Sequence, residues 1–180
     1  MPTCEDIVLL AQYNATMNRR LYDAAASLSL EEMRADRGAF FGSLIGTMNH
    51  LLAGDTIWLT RFAGHPAAFA ALAPLRGAPL PSGLRHTFGD NVAELRPQRE
   101  RLDDMIGALA TELQPGDLEQ TFTYRTMSGQ AFHKHFGSVL LHLFNHQTHH
   151  RGQASTLLTQ AGVDIGVTDL LAWIPDSQPP

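Results

Sequence analysis

Apolar side chains recur every three or four positions through most of this chain, and that period lays out its helices. Over residues 5–27, Ile7, Leu10, Tyr13, Met17, Leu21 and Ala24 fall on one stripe, the pattern of an amphipathic helix. Ser29 and Glu32 form a capping-box pattern that opens a short turn. A second long helix is predicted from Ser43 to Gly64, closed by Pro66. The third covers 90–113, where Pro97 warns of kinked first turns or a later start. The fourth covers 136–162, and "TDLLAWI" predicts a short helical tail. Two segments break the period. Residues 65–87 are rich in Pro, Gly and Ala without a repeat and are long for a connection, so they are expected to cross over the helices or rim a site. Residues 121–135 alternate and contain Ser-Gly, which predicts a small hairpin or extended loop.

Four long helices predict an all-α chain, a four-helix bundle forming a single domain over 1–180, with any cofactor site built from inward-facing side chains. A chain of 180 residues has enough sequence for one sizeable core. The net charge of -5 and the scatter of its 13 basic residues give no footprint for nucleic acid. A lone cysteine, Cys4, rules out a disulfide within the chain, and with no basic leader at the N-terminus a cytoplasmic protein is expected. Cys4 has no visible activating neighbour and reads as inert. No stretch approaches the roughly 20 apolar residues of a membrane span, so no membrane partner is expected.

The candidate chemistry lies in "HLFNHQTHHRGQ", residues 142–153. Phe136, Val139, Leu143, Ala154, Leu157 and Ala161 define the apolar stripe of the last helix. At ~100° per residue, His150 falls roughly 30° and His146 roughly 70° from its centre, while His142 and His149 lie beyond ~100°. Residues four apart stand one turn apart on the same face, close enough for both rings to reach one ion. The spacing alone leaves two readings open: a ligand pair, or two half-buried histidines satisfied by hydrogen bonds. A third ligand must come from another helix, and His50 is the candidate. Yet the apolar face of its helix is set by Leu44, Met48, Leu51, Leu59 and Phe62, and by the wheel alone His50 is an exposed or flank residue beside the small Gly46, Thr47 and Gly54. Asp55 falls near the middle of that face, where an unpaired carboxylate costs several kcal/mol. It therefore needs a partner, either a ring N–H of a ligand histidine or Arg151 across the helices.

"NHQTHHRGQ" on the last helix, "MNHLLAGDTIWLTRFAG" on the second, "ELRPQRERLDDMI" on the third and "FTYRTMSGQ" before the histidine helix together resemble the DinB/YfiT-like group of metalloenzymes. That resemblance implies an up-down-down-up four-helix bundle, often a homodimer, with a divalent metal held by three histidines. Carried onto this chain the ligands are His50, His146 and His150, with His149 the competitor to His150. Some members of the group are thiol-dependent S-transferases or isomerases that use low-molecular-weight thiols.

Three protein ligands leave positions open for water or a small-molecule substrate. The open-site reading implies a metal-dependent enzyme of that thiol-dependent type or a metal-assisted hydrolase. The alternative is a non-catalytic metal-binding protein of stress response or interaction. Zinc or nickel suits three imidazoles ahead of iron, manganese or copper. Gln147 stands where a zinc protease of HExxH type carries its glutamate, so that mechanism has no support. The general base is unassigned; His149, His142, Asp55 and Asp169 are candidates by type. Gly152, inside the last helix, is read as a packing contact, with a substrate opening as the second reading. His133 and His135 are expected to be exposed. Trp58, Phe62, Phe136 and Phe144 are expected in the core or a dimer interface before a substrate wall.

Overall fold

Thr3 accepts a hydrogen bond from the Asp6 amide while the Asp6 carboxylate accepts from the Thr3 amide, and this box starts α1, Cys4–Ala25. The computed structural model describes residues 1–126 and 128–176. Ser29 and Glu32 repeat the box at α2, Leu30–Arg34, as the sequence predicts. Ser43 caps α3, Leu44–Phe62, and Asn91 caps α4, Val92–Glu112. Helix α4 starts at Val92 and runs through the exposed Pro97, so the proline does not delay it. A short α5, Pro115–Glu119, leads into β1, Thr121–Arg125, paired antiparallel with β2, Ala131–His135. Thr126 and Gln130 close that hairpin, with Gly129 at φ +88° where a side chain would be strained. The last long helix, α6, spans Phe136–Gln160. The predicted helical tail shrinks to a 3-10 turn over Leu170–Trp173.

The result is a mostly helical chain with one small two-stranded sheet. Helix α1 packs on α4 and α6, and α3 packs on the same two, around a core that includes Leu21, Met48, Leu52, Leu95, Ile106, Leu143 and Leu157. Each such side chain contributes roughly 1.5–3 kcal/mol by leaving water. Among the described residues no helix is long and apolar enough to cross a membrane.

A polar layer runs through this apolar interior. Asp55, fully buried on α3, meets the Arg99 guanidinium of α4 at 2.7 Å and accepts a hydrogen bond from Gln147 Nε2 of α6 at 2.5 Å. Arg99 also reaches Asp103, which accepts from Asn14 and Asn18 of α1. Arg151 of α6 donates to Asn14 and to Gln147. Both expected partners of Asp55 are therefore corrected: neither a histidine ring nor Arg151 reaches it. Arg99 stands in the apolar stripe of α4 directly opposite the carboxylate, whereas Arg151 is turned toward α1.

The connection over 65–87 holds a 3-10 turn at Ala70–Leu75 and then rims a site, as one of its two readings anticipated. Asn49 fixes its far end, accepting from the Phe88 amide at 2.6 Å and donating to the Gly89 carbonyl at 2.9 Å. This places Leu84 over the next residue, His50.

Candidate metal centre

Successive turns of α3 face successive turns of α6 in reverse order. His50 meets His150, Gly54 meets His146, and Trp58 meets His142. The three rings of His50, His146 and His150 converge so that one nitrogen from each lies within 4.8 Å of the others, a group that could hold a metal ion. His50 Nε2 lies 3.1 Å from His146 Nε2 and 3.0 Å from His150 Nε2. Three nitrogens around a zinc ion at ~2.0–2.1 Å stand about 3.3 Å apart, so little adjustment separates this arrangement from a coordination shell.

The other ring nitrogens decide what the cluster presents. His50 Nδ1 lies 3.0 Å from the Leu84 carbonyl, which only accepts, so the proton is on Nδ1 and Nε2 carries a lone pair. The Gln153 amide nitrogen points to His149, which turns its oxygen to His150 Nδ1 at 2.8 Å and leaves His150 Nε2 likewise bare. Two lone pairs at 3.0 Å repel unless a cation lies between them. Burial pushes His50 down to about 4 and His146 to about 3, and repulsion from neighbouring imidazoles adds to both, so the rings are neutral near pH 7 and able to coordinate. His146 differs in one respect: its Nδ1 is buried without a hydrogen-bond partner. Packing against Gly54 holds that ring, because a Cβ on Gly54 would sit 2.7 Å from His146 Cε1.

The wheel misjudged His50, which is only 3 % exposed. Its flank is covered from outside the helix, by Phe41 stacked at 3.8 Å and by the Leu84 backbone. His149 is exposed and outside the cluster, as is His142. Asp169 is exposed at the start of the C-terminal 3-10 turn, and His133 and His135 are exposed on β2. Gly152 is exposed, and a methyl placed on it would meet nothing within 4 Å, so the packing reading fails there. Phe62, Phe136 and Phe144 are buried, while Trp58 is only half-buried and lines a cavity beside His146. Cys4 is half-buried, and burial pushes its thiol up, away from reactivity.

The family model of the DinB family matches residues 1–178. The chain belongs to the DinB family. Protein DinB of Bacillus subtilis (strain 168) is 23% identical to it over 161 residues, 89% of this chain and 88% of that protein. No solved structure matches the chain.

Gln153 went unnoticed in the sequence of this DinB-family protein, although it lies three residues after His150, one turn along the same helix. Gln153→Ala is expected to weaken metal affinity about 10–100-fold, the usual cost of losing a group that orients a ligand histidine. Competition with a chromophoric chelator measures it, and unchanged affinity would show that His150 needs no such support. The protein freed of metal should also lose stability on acidification. The unfolded chain binds protons near 6.5 while folded His50 resists them until about 4. Over that window the unfolded state holds more protons, so stability is complete above about 6.5 and falls as pH drops through the window. Urea midpoints of chelator-treated protein at about pH 7 and about pH 5 test this; a flat or rising midpoint on acidification contradicts it.

Proposed function

We propose that this DinB-family protein is a metal-dependent enzyme acting on a small molecule, its one divalent ion held by His50, His146 and His150. Zinc or nickel is preferred, with iron, manganese or copper as further possibilities for three imidazoles. The observation that carries the reading is the approach of His50 Nε2 and His150 Nε2 to 3.0 Å while the Nδ1 of each ring faces an oxygen, the Leu84 carbonyl and the Gln153 amide oxygen. When bound, the ion would lower the pKa of water toward ~7 or hold a thiol as thiolate. The chain's own part is to orient the rings through Leu84 and Gln153 and to hold His50 under the stacked Phe41 ring. A thiol-dependent S-transferase or isomerase and a metal-assisted hydrolase both fit three ligands with open positions.

A cavity of roughly 480 Å³ opens beside His146. Its presence favours turnover over the rival reading, a metal-binding stress-response or interaction protein without catalysis.

The proposal includes an up-down-down-up four-helix bundle as a single domain. Supporting it, α1 and α4 meet in reverse order, Asn14 with Asp103 and Asp23 with Arg96. Helix α3 and the stretch that leads into and along α4 meet in the same order, Asn49 with Gly89 just before α4 and Asp55 with Arg99 within it. A cytoplasmic homodimer completes the reading, on the family resemblance and the single cysteine.

The test is metal content after dialysis, for wild type and for His50→Ala, His146→Ala and His150→Ala. Near-stoichiometric metal is expected in the wild type and loss in each variant. Retention in all three would discard the site. A cobalt-substituted sample whose visible spectrum shifts on adding a low-molecular-weight thiol supports the thiol-dependent class, and a spectrum insensitive to thiol favours hydrolysis.

A further inference from the structure

The cavity beside His146 has a cationic far end, and we infer that it selects small organic carboxylates, which Arg61 anchors while the remainder of the molecule reaches toward the three histidines. The reacting end of this inference rests on the proposed metal centre; the anchor does not.

Gly54, Ile57, Trp58 and Arg61 follow one another at helical spacing, so α3 gives the cavity a single continuous wall. Gly54 touches the His146 ring at one end. Seven residues later, about 10 Å along the helix axis, Arg61 closes the other. Between them Ile57, Trp58 and Leu84 offer apolar surface, and His142 of α6 adds one imidazole.

Arg61 is held but not neutralised. Its guanidinium lies 4.7 Å over the Trp58 ring and 5.3 Å from the Tyr124 ring of β1, which fixes its plane. Among the described residues no carboxylate lies within ion-pairing distance of it. Arg99 and Arg96, by contrast, each pair with an aspartate. Burial draws the Arg61 pKa down from its usual range, and its Nε is buried with no hydrogen-bond acceptor. A half-buried guanidinium fork placed on aromatic faces in the wall of a cavity lacks a planar anion. Carboxylate geometry matches that fork with two parallel hydrogen bonds.

The charge and the walls narrow the class further. One guanidinium balances one negative charge, whereas a phosphate monoester at roughly −2 would leave charge against Ile57 and Trp58. The hairpin tip adds only two hydroxyls, Thr126 and Ser128, 2.9 Å apart and bonded to each other. An apolar or aromatic body about 10 Å long with a single carboxylate fits this space, and a polyol does not.

Calorimetric titration of the purified protein with 3-phenylpropionate and its neutral amide, 3-phenylpropionamide, tests the anchor. A charge-assisted hydrogen-bond pair predicts that the acid binds about 10–100-fold more tightly than the amide. Arg61→Ala should remove that preference, so that acid and amide bind alike; Arg61→Gln keeps the length of the side chain and serves where the alanine variant does not fold. The same titrations are run on zinc-loaded and chelator-treated protein. An acid preference that depends on Arg61 in both forms upholds the anchor, even in a protein that never retains zinc, so a failed metal centre is seen separately. Equal binding of acid and amide, no binding of either up to their solubility limits, or a preference that survives both folded variants overturns it.

Discussion

Asp55→Ala is expected to destabilise the protein by about 3–5 kcal/mol, read as a shift of the urea midpoint, because it strands a buried arginine. Arg99 is only 2 % exposed and rests between two carboxylates; without Asp55 its remaining partner is Asp103. The same substitution removes the acceptor of Gln147, whose carbonyl in turn receives Arg151. The damage would therefore spread from α3 to α4 and α6 at once. Set against a total of about 5–15 kcal/mol for a domain, such a loss leaves little folded margin. Replacing both charges together, Asp55→Leu with Arg99→Met, should recover only part of it, since the buried Asp103 then loses its arginine and Gln147 still lacks its acceptor. A single-variant loss below about 1 kcal/mol would show that Arg99 finds water or another anion in the folded state.

The helices were legible because their apolar spacing is local. Ser29 with Glu32, Ser43 and the stripe of α6 each act within a few residues, and the structure reproduces those elements to within two or three positions. The i, i+4 placement of His146 and His150 was legible for the same reason. His50 was not, because what buries it comes from other segments: Phe41 before the helix and Leu84 in a connection with no period of its own. A wheel describes one helix and carries no information about a loop folded over its flank. The need of Asp55 for a partner could be read, but not the identity of that partner. The missed signal was present in α4, where Leu95, Arg99, Leu102 and Ile106 share one stripe and place a guanidinium among apolar side chains. A buried charge on each of two facing stripes is a stronger pairing cue than a charge one helix further along. Trp58, read as core or dimer interface before substrate wall, packs half-buried against the core and also stands on a cavity wall between α3, α6 and the hairpin.

Gly54→Ala is expected to empty the metal centre while leaving the fold intact. The added methyl would stand 2.7 Å from His146 Cε1, and the nearest way to relieve that contact is rotation of the ring, which no hydrogen bond at Nδ1 opposes. Turning His146 away reduces three converging nitrogens to two, so retained metal should fall to the level of His146→Ala. Stability should move the other way or hardly at all. Alanine is favoured over glycine in a helix by about 1 kcal/mol, which offsets the local crowding. Gly152→Ala provides the control, since a methyl there meets open space; it should gain helix stability and keep its metal. Metal analysis after dialysis, paired with thermal melts of the two variants, separates ligand placement from general destabilisation. A Gly54→Ala protein that holds metal like the wild type would mean that the His146 ring admits the methyl without turning away from the shared ion, and the expectation fails.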